Sequence, residues 1–182
     1  MRQYICFQVG DARYALPLAW IAQVLRFENV TPVPMAPRFV EGILNLGGEV
    51  VPVLNLRLRF GLERGQPTRR NRVLVAERDG AKHGLLVDGV KEILELEDSS
   101  ILAGGPPLAG LKAELVAGIA KVRESLVIIL QGERLLEAES YPRPPSEREP
   151  PAGGAVETGG AVETGGAGET GEAEEAEEVE AG

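Results

Sequence analysis

The stretch Ile43-Leu44-Asn45-Leu46-Gly47-Gly48-Glu49-Val50-Val51-Pro52-Val53-Leu54 is two apolar runs around a pair of glycines. Glycine takes positive φ without steric cost, so two such residues between strand-forming runs are the signature of a tight β-hairpin. The same punctuation recurs on both sides. Gln3 to Val9 is rich in strand formers, Gly10-Asp11 reads as a turn, and Arg13-Tyr14-Ala15-Leu16 resumes the extended pattern up to Pro17. Arg72 to Glu77 and His83 to Val87 flank the Asp79-Gly80 turn, and Val90 to Leu96 alternates. Leu115 to Ala120 and Leu126 to Leu130 form a last pair.

Between these lie irregular stretches. Leu18 to Leu25 fits either a short helix or a strand, because Leu18, Ile21, Val24 and Leu25 could share a helix face. Pro32, Pro34 and Pro37 exclude regular structure from 31–37. Residues 61–71 read as a polar loop, 99–107 as a second irregular connection, and 132–138 as a short closing helix carrying Leu135 and Leu136. Eight to ten short strands with no long amphipathic helix imply an all-β barrel or a pair of small barrels, not an α/β enzyme.

Charge divides the chain in two. Residues 1–140 hold 17 Asp+Glu and 17 Lys+Arg, whereas 141–182 hold 11 Glu and 2 Arg, so the net charge of −9 belongs entirely to the C-terminal stretch. That stretch opens with Pro142-Arg143-Pro144-Pro145 and repeats Gly-Gly-Ala-Val-Glu-Thr from Gly153 and again from Gly159. Its composition cannot bury enough apolar surface to offset chain entropy, and we expect 141–182 to be a disordered acidic tail following a domain at 1–140.

Catalytic chemistry finds little support. One cysteine, Cys6, and one histidine, His83, stand far apart, which argues against a transition-metal site and excludes an internal disulfide. Gly47-Gly48-Glu49 lacks the Lys and Ser/Thr of a phosphate loop. Arg69, Arg70 and Arg72 form the densest basic cluster and read as a solvated loop. A neutral domain with few aromatics is a poor nucleic-acid binder. Met1-Arg2-Gln3-Tyr4 runs straight into a strand, and no apolar run is long enough to cross a membrane, so the expectation is a cytoplasmic protein without cofactor.

The ordered blocks resemble the CheW-like family of bacterial chemotaxis coupling proteins. The resemblance rests on Tyr14-Ala15-Leu16-Pro17, Thr31-Pro32-Val33-Pro34 and Phe39-Val40-Glu41-Gly42-Ile43-Leu44-Asn45-Leu46. Val51-Pro52-Val53-Leu54-Asn55-Leu56-Arg57, Gly84-Leu85-Leu86-Val87-Asp88-Gly89-Val90 and Gly118-Ile119 complete it. It implies two small five-stranded SH3-like β-barrels sharing a hydrophobic core, with no enzymatic activity. It also implies two partners, the regulatory domain of a CheA-type histidine kinase and the cytoplasmic tip of methyl-accepting chemoreceptors. The protein-binding residues it implies are Ile21, Gln23, Gly42, Asn45, Gly47, Val87, Val90 and Gly118. Two positions depart from the family pattern: Gln23 stands where an acidic residue is usual, and Gly47 where Asn-Leu-Arg-Gly would place arginine. These departures suggest, as an alternative, a binding module of a non-flagellar chemosensory pathway that engages a kinase without normal receptor coupling.

Overall fold

The computed structural model describes residues 1–104 and 111–137, and the expected acidic tail lies outside them. Among the described residues eleven strands form two sheets. The first runs in the order β8 (Gly89–Leu96), β1 (Arg2–Val9), β2 (Ala12–Pro17), β11 (Ser125–Leu130), β10 (Val116–Val122), β9 (Ile101–Ala103). The second runs β3 (Ile21–Arg26), β6 (Arg72–Arg78), β7 (Ala81–Val87), β5 (Glu49–Asn55), β4 (Val40–Leu46).

The two sheets share one connectivity. In each, a hairpin (β1–β2 or β6–β7) lies parallel, through its second strand, to the second strand of another hairpin (β10–β11 or β4–β5). The strand that follows each first hairpin crosses over. After β2 the chain enters the second sheet as β3, beside β6, and after β7 it enters the first as β8, beside β1. Each sheet is therefore completed by a strand donated from the other half.

That exchange explains the hydrophobic pattern. Along β1, Ile5, Phe7 and Val9 point into a core shared by both sheets, while Tyr4 and Cys6 point into a second core with Leu94, Leu96, Val127 and Ile129. Strands buried on both faces read as continuous apolar runs rather than alternating ones. A third core, of Leu44, Val53, Val73, Val75 and Leu86, fills the inside of the second sheet. The shared core holds Phe7, Tyr14 and Phe60, with the Tyr14 and Phe60 rings 4.9 Å apart.

The ambiguous segment 18–25 divides. Leu18–Trp20 makes one 3-10 turn and Ile21 begins β3. Two elements escaped the sequence reading. Helix α1 (Leu56–Arg59) is a single turn capped by Asn55, whose side chain accepts from the Leu58 N–H at 3.3 Å. Strand β9 occupies part of the stretch expected to be irregular. It can reach β10 because Gly118 has no side chain: a Cβ there would stand 2.6 Å from both Ile101 Cγ2 and Leu102 O. The closing helix α2 (Gly132–Leu136) forms as expected and is held by the sole tryptophan. Gly132 lies so close to the Trp20 ring that a Cβ would fall 2.0 Å from it, and the Arg78 guanidinium stacks over that ring at 4.8 Å while pairing with Glu133 at 2.6 Å.

Candidate functional site: an adaptor surface on paired sheets

Gly42 and Thr31 close the second sheet. Thr31 and Ile43 exchange backbone hydrogen bonds, each 2.8 Å, which ties the chain beyond β3 to β4 at the far edge. Gly42 has φ +155° and a Cβ there would sit 2.2 Å from the Thr31 carbonyl oxygen. Only glycine lets the two segments approach.

At the β4–β5 turn, Gly47 and Gly48 both have positive φ, +61° and +94°, the requirement of a two-residue turn whose twist matches its strands. The Asn45 side chain accepts from the Gly48 N–H at 2.8 Å and locks that turn. Space beyond Gly47 is open, with no heavy atom within 4 Å of a Cβ. Ile21 is half-buried on the shared core, and a bulge separates it from Gln23, which is exposed opposite Val75. Val87 is fully inside the shared core and Val90 packs against it from the start of β8. Gly118 is buried beneath β9.

The eight residues therefore fall into three places. Ile21, Gln23, Gly42, Asn45 and Gly47 lie on the two edge strands of the second sheet and the turn beyond. Val87 and Val90 flank the crossover between sheets, and Gly118 stands apart on the first sheet. Gln23, Asn45 and Gly47 are exposed, whereas the side chains of the valines are turned wholly or partly inward.

A polar joint between the halves was not anticipated. Arg57 on α1 donates through Nε to both Asp88 oxygens, at 2.9 and 3.0 Å, and Asp88 Oδ2 accepts from the Gly10 N–H at 2.7 Å. The carboxylate beside it, with its charge-assisted bond, raises the Arg57 pKa still further, so the guanidinium is permanently charged. Next to this, Glu41 accepts from Asn55 Nδ2 at 2.9 Å and pairs with Arg64. Asn55, Arg57 and Asp88 were visible only as parts of sequence blocks, because Arg57 meets Asp88 across 31 residues and Asn55 meets Glu41 across 14.

The first sheet offers an apolar face. Ile128 belongs to the shared core; its neighbours across β10 and β9 are Ile119 and Leu102. These residues share one face of the sheet, as does Leu126 two positions before Ile128. The face thus continues past the area that the second sheet covers, leaving Leu102 74% and Leu126 64% exposed. Large contiguous exposed apolar surface marks a docking site.

A doubly barrelled β-fold with its chemistry spent on holding two halves together, and its exposed features apolar edges and turns, defines a scaffold that works by binding. The comparisons agree. A profile of the CheW-like domain matches residues 3–140, and the chain belongs to that family. It is 32% identical over 137 residues to the chemotaxis protein CheW of Helicobacter pylori, covering 75% of this chain and 82% of that protein. It is 33% identical over 141 residues to protein FrzA of Myxococcus xanthus, covering 75% and 86%. The crystal structure of the scaffolding protein TtCheW from Thermoanaerobacter tengcongensis superposes with a TM-score of 0.69 at 31% identity, over 76% of this chain and 90% of that one. The chain is a chemotaxis coupling adaptor, of a family whose members act as non-catalytic scaffolds.

Proposed function

We propose that this adaptor joins the cytoplasmic tip of chemoreceptors to the regulatory domain of a CheA-type histidine kinase, within the cytoplasm at membrane receptor arrays. The kinase docks, barrel to barrel, on the uncovered apolar end of the first sheet. The observation that carries this reading is the strip Leu102, Ile119 and Leu126, which extends the shared core into solvent. The receptor meets the edge strands of the second sheet. There Gln23, Asn45 and Gly47 make direct contact, while Ile21, Gly42, Val87 and Val90 shape the surface from behind; Gly118, on the first sheet, seats β9 and its Leu102 in the kinase-facing strip. The adaptor inserts in no membrane and binds no nucleic acid.

Calorimetry of the full chain against the purified regulatory domains of the organism's CheA-type kinases tests the kinase half. Micromolar or tighter binding to one of them is expected, and Leu126→Glu should abolish it while leaving the melting temperature close to wild type, since the side chain is mostly exposed. Unaltered affinity in that variant would move the kinase elsewhere on the surface.

A further inference from the structure

Edge strand β3 ends on a cross-strand pair of like charges. Arg26 stands directly opposite Arg72 in the β3–β6 ladder. Directly opposed side chains on an antiparallel pair have Cβ atoms about 4.5–5.5 Å apart, and like charges in that position repel. Arg69 and Arg70 lie in the turn that leads into β6. The turn is pinned: the Thr68 N–H donates to Asn71, Asn71 Nδ2 donates to the Val87 carbonyl at 3.2 Å, and an Arg72 guanidinium N–H holds the Arg69 carbonyl at 2.7 Å.

None of these four arginines has a carboxylate partner among the described residues. The nearby acids are committed elsewhere or stand clear. Asp88 is held by Arg57, Glu41 by Arg64, and Glu28, two positions past Arg26, makes no ion pair. Val24 lies on the same face as Arg26, opposite Leu74 of the shared core, and is 43% exposed. An apolar centre beside a rim of arginines on a pre-ordered turn is the composition of a protein-binding patch.

We propose that this face, Val24 with Arg26, Arg69, Arg70 and Arg72, docks a carboxylate-rich protein segment of a partner. Carboxylates there would relieve the Arg26–Arg72 repulsion and accept forked guanidinium hydrogen bonds, which a lysine patch could not supply. Gln23, which points to the opposite face of the same strand, stands where an acid is usual in the family, so β3 carries no carboxylate of its own to compete. An acidic partner surface becomes a criterion of specificity, acting chiefly on encounter rate and on rejection of basic rivals. A peptide fits better than a phosphodiester chain, because exposed aromatics that would stack bases are missing from this face. The inference rests on the reading of β3 as a partner-facing edge.

The experiment needs neither kinase nor receptor, so its failure leaves the adaptor reading intact. A fluorescein-labelled twelve-residue peptide rich in glutamate is titrated into the full chain at low salt and followed by anisotropy. The triple variant Arg26→Gln, Arg69→Gln, Arg70→Gln should weaken binding about tenfold, given the modest worth of each exposed pair. A second triple variant, Lys91→Gln, Lys121→Gln, Arg123→Gln, removes the same charge from the first sheet and should leave affinity unchanged. Salt near 0.5 M, where screening reaches only about 4 Å, should abolish binding. Equal losses in both variants, or no saturable binding, would overturn the proposal. So would tighter binding of a phosphodiester oligomer of equal charge. Binding that emerges only when the glutamates of 169–180 are changed to glutamine would overturn it too, assigning the face to those glutamates instead of a partner.

Discussion

Glycines 42 and 47 occupy the same hairpin and have opposite tolerances. A Cβ at position 42 meets the Thr31 carbonyl, a backbone atom that cannot move without breaking the pair of bonds that closes the second sheet. Gly42→Ala should therefore cost about 3 kcal/mol or more. At position 47 there is open space, and the only penalty is the left-handed backbone, about 1 kcal/mol. Gly47→Arg, which restores the family residue, should fold with a melting temperature a few degrees lower. Denaturant titration of the two variants checks the contrast, and equal costs would mean that Thr31 yields. The turn itself was legible in the sequence as Gly47-Gly48. That Gly42 serves closure was not, because Thr31 reaches it through an irregular, proline-rich segment that carries no pairing signal.

At the scale of elements, the joint between α1, the β1–β2 turn and the β7–β8 crossover depends on one ion pair. Arg57 and Asp88 are each about a quarter to a third exposed, so the pair is only partly screened by water. Arg57→Ala would leave the Asp88 charge supported by the Gly10 N–H alone. A loss of about 1–2 kcal/mol is expected, seen as a lower midpoint in urea with an unchanged slope. A change of slope would instead signal that the halves come apart separately. Strand existence was readable from the apolar runs between glycine and proline turns. Element α1 was missed because four residues are too few to show a helical period, and β9 because its three residues owe their pairing to the gap at Gly118.

For the whole molecule, the buried ionisable groups set a pH limit. Burial pushes the Cys6 thiol above its ordinary value of 9.0 and the Tyr14 phenol above 10.0. Both are neutral when protonated. Above the unfolded thiol value, the unfolded chain gives up these protons while the folded chain keeps them, so the unfolded state binds fewer protons and stability falls with rising pH. Stability should be flat in these two groups through neutrality and decline from about pH 9 upward. The urea midpoint at pH 7, 9 and 10.5 checks this, and Cys6→Ala should flatten the early part of the decline. A midpoint that holds to pH 10.5 would mean that both groups ionise in place.

Local sequence was sufficient for the class of fold and for the hairpins, since turn chemistry and apolar runs act over a few residues. It also carried the division of charge between domain and C-terminal stretch, and its blocks pointed to the family. Tertiary structure alone decided which strands trade sheets, that Arg57 meets Asp88, and that Leu102 and Leu126, either side of the half-buried Ile119, escape cover. It also set Arg26 against Arg72, 46 positions apart in the chain, as register partners. The reason is physical: an apolar run records that a strand is buried, but the same residues satisfy either face of either sheet. Only the closing of the chain on itself, with Gly42 and Gly118 admitting their neighbours, selects which face is left for a partner.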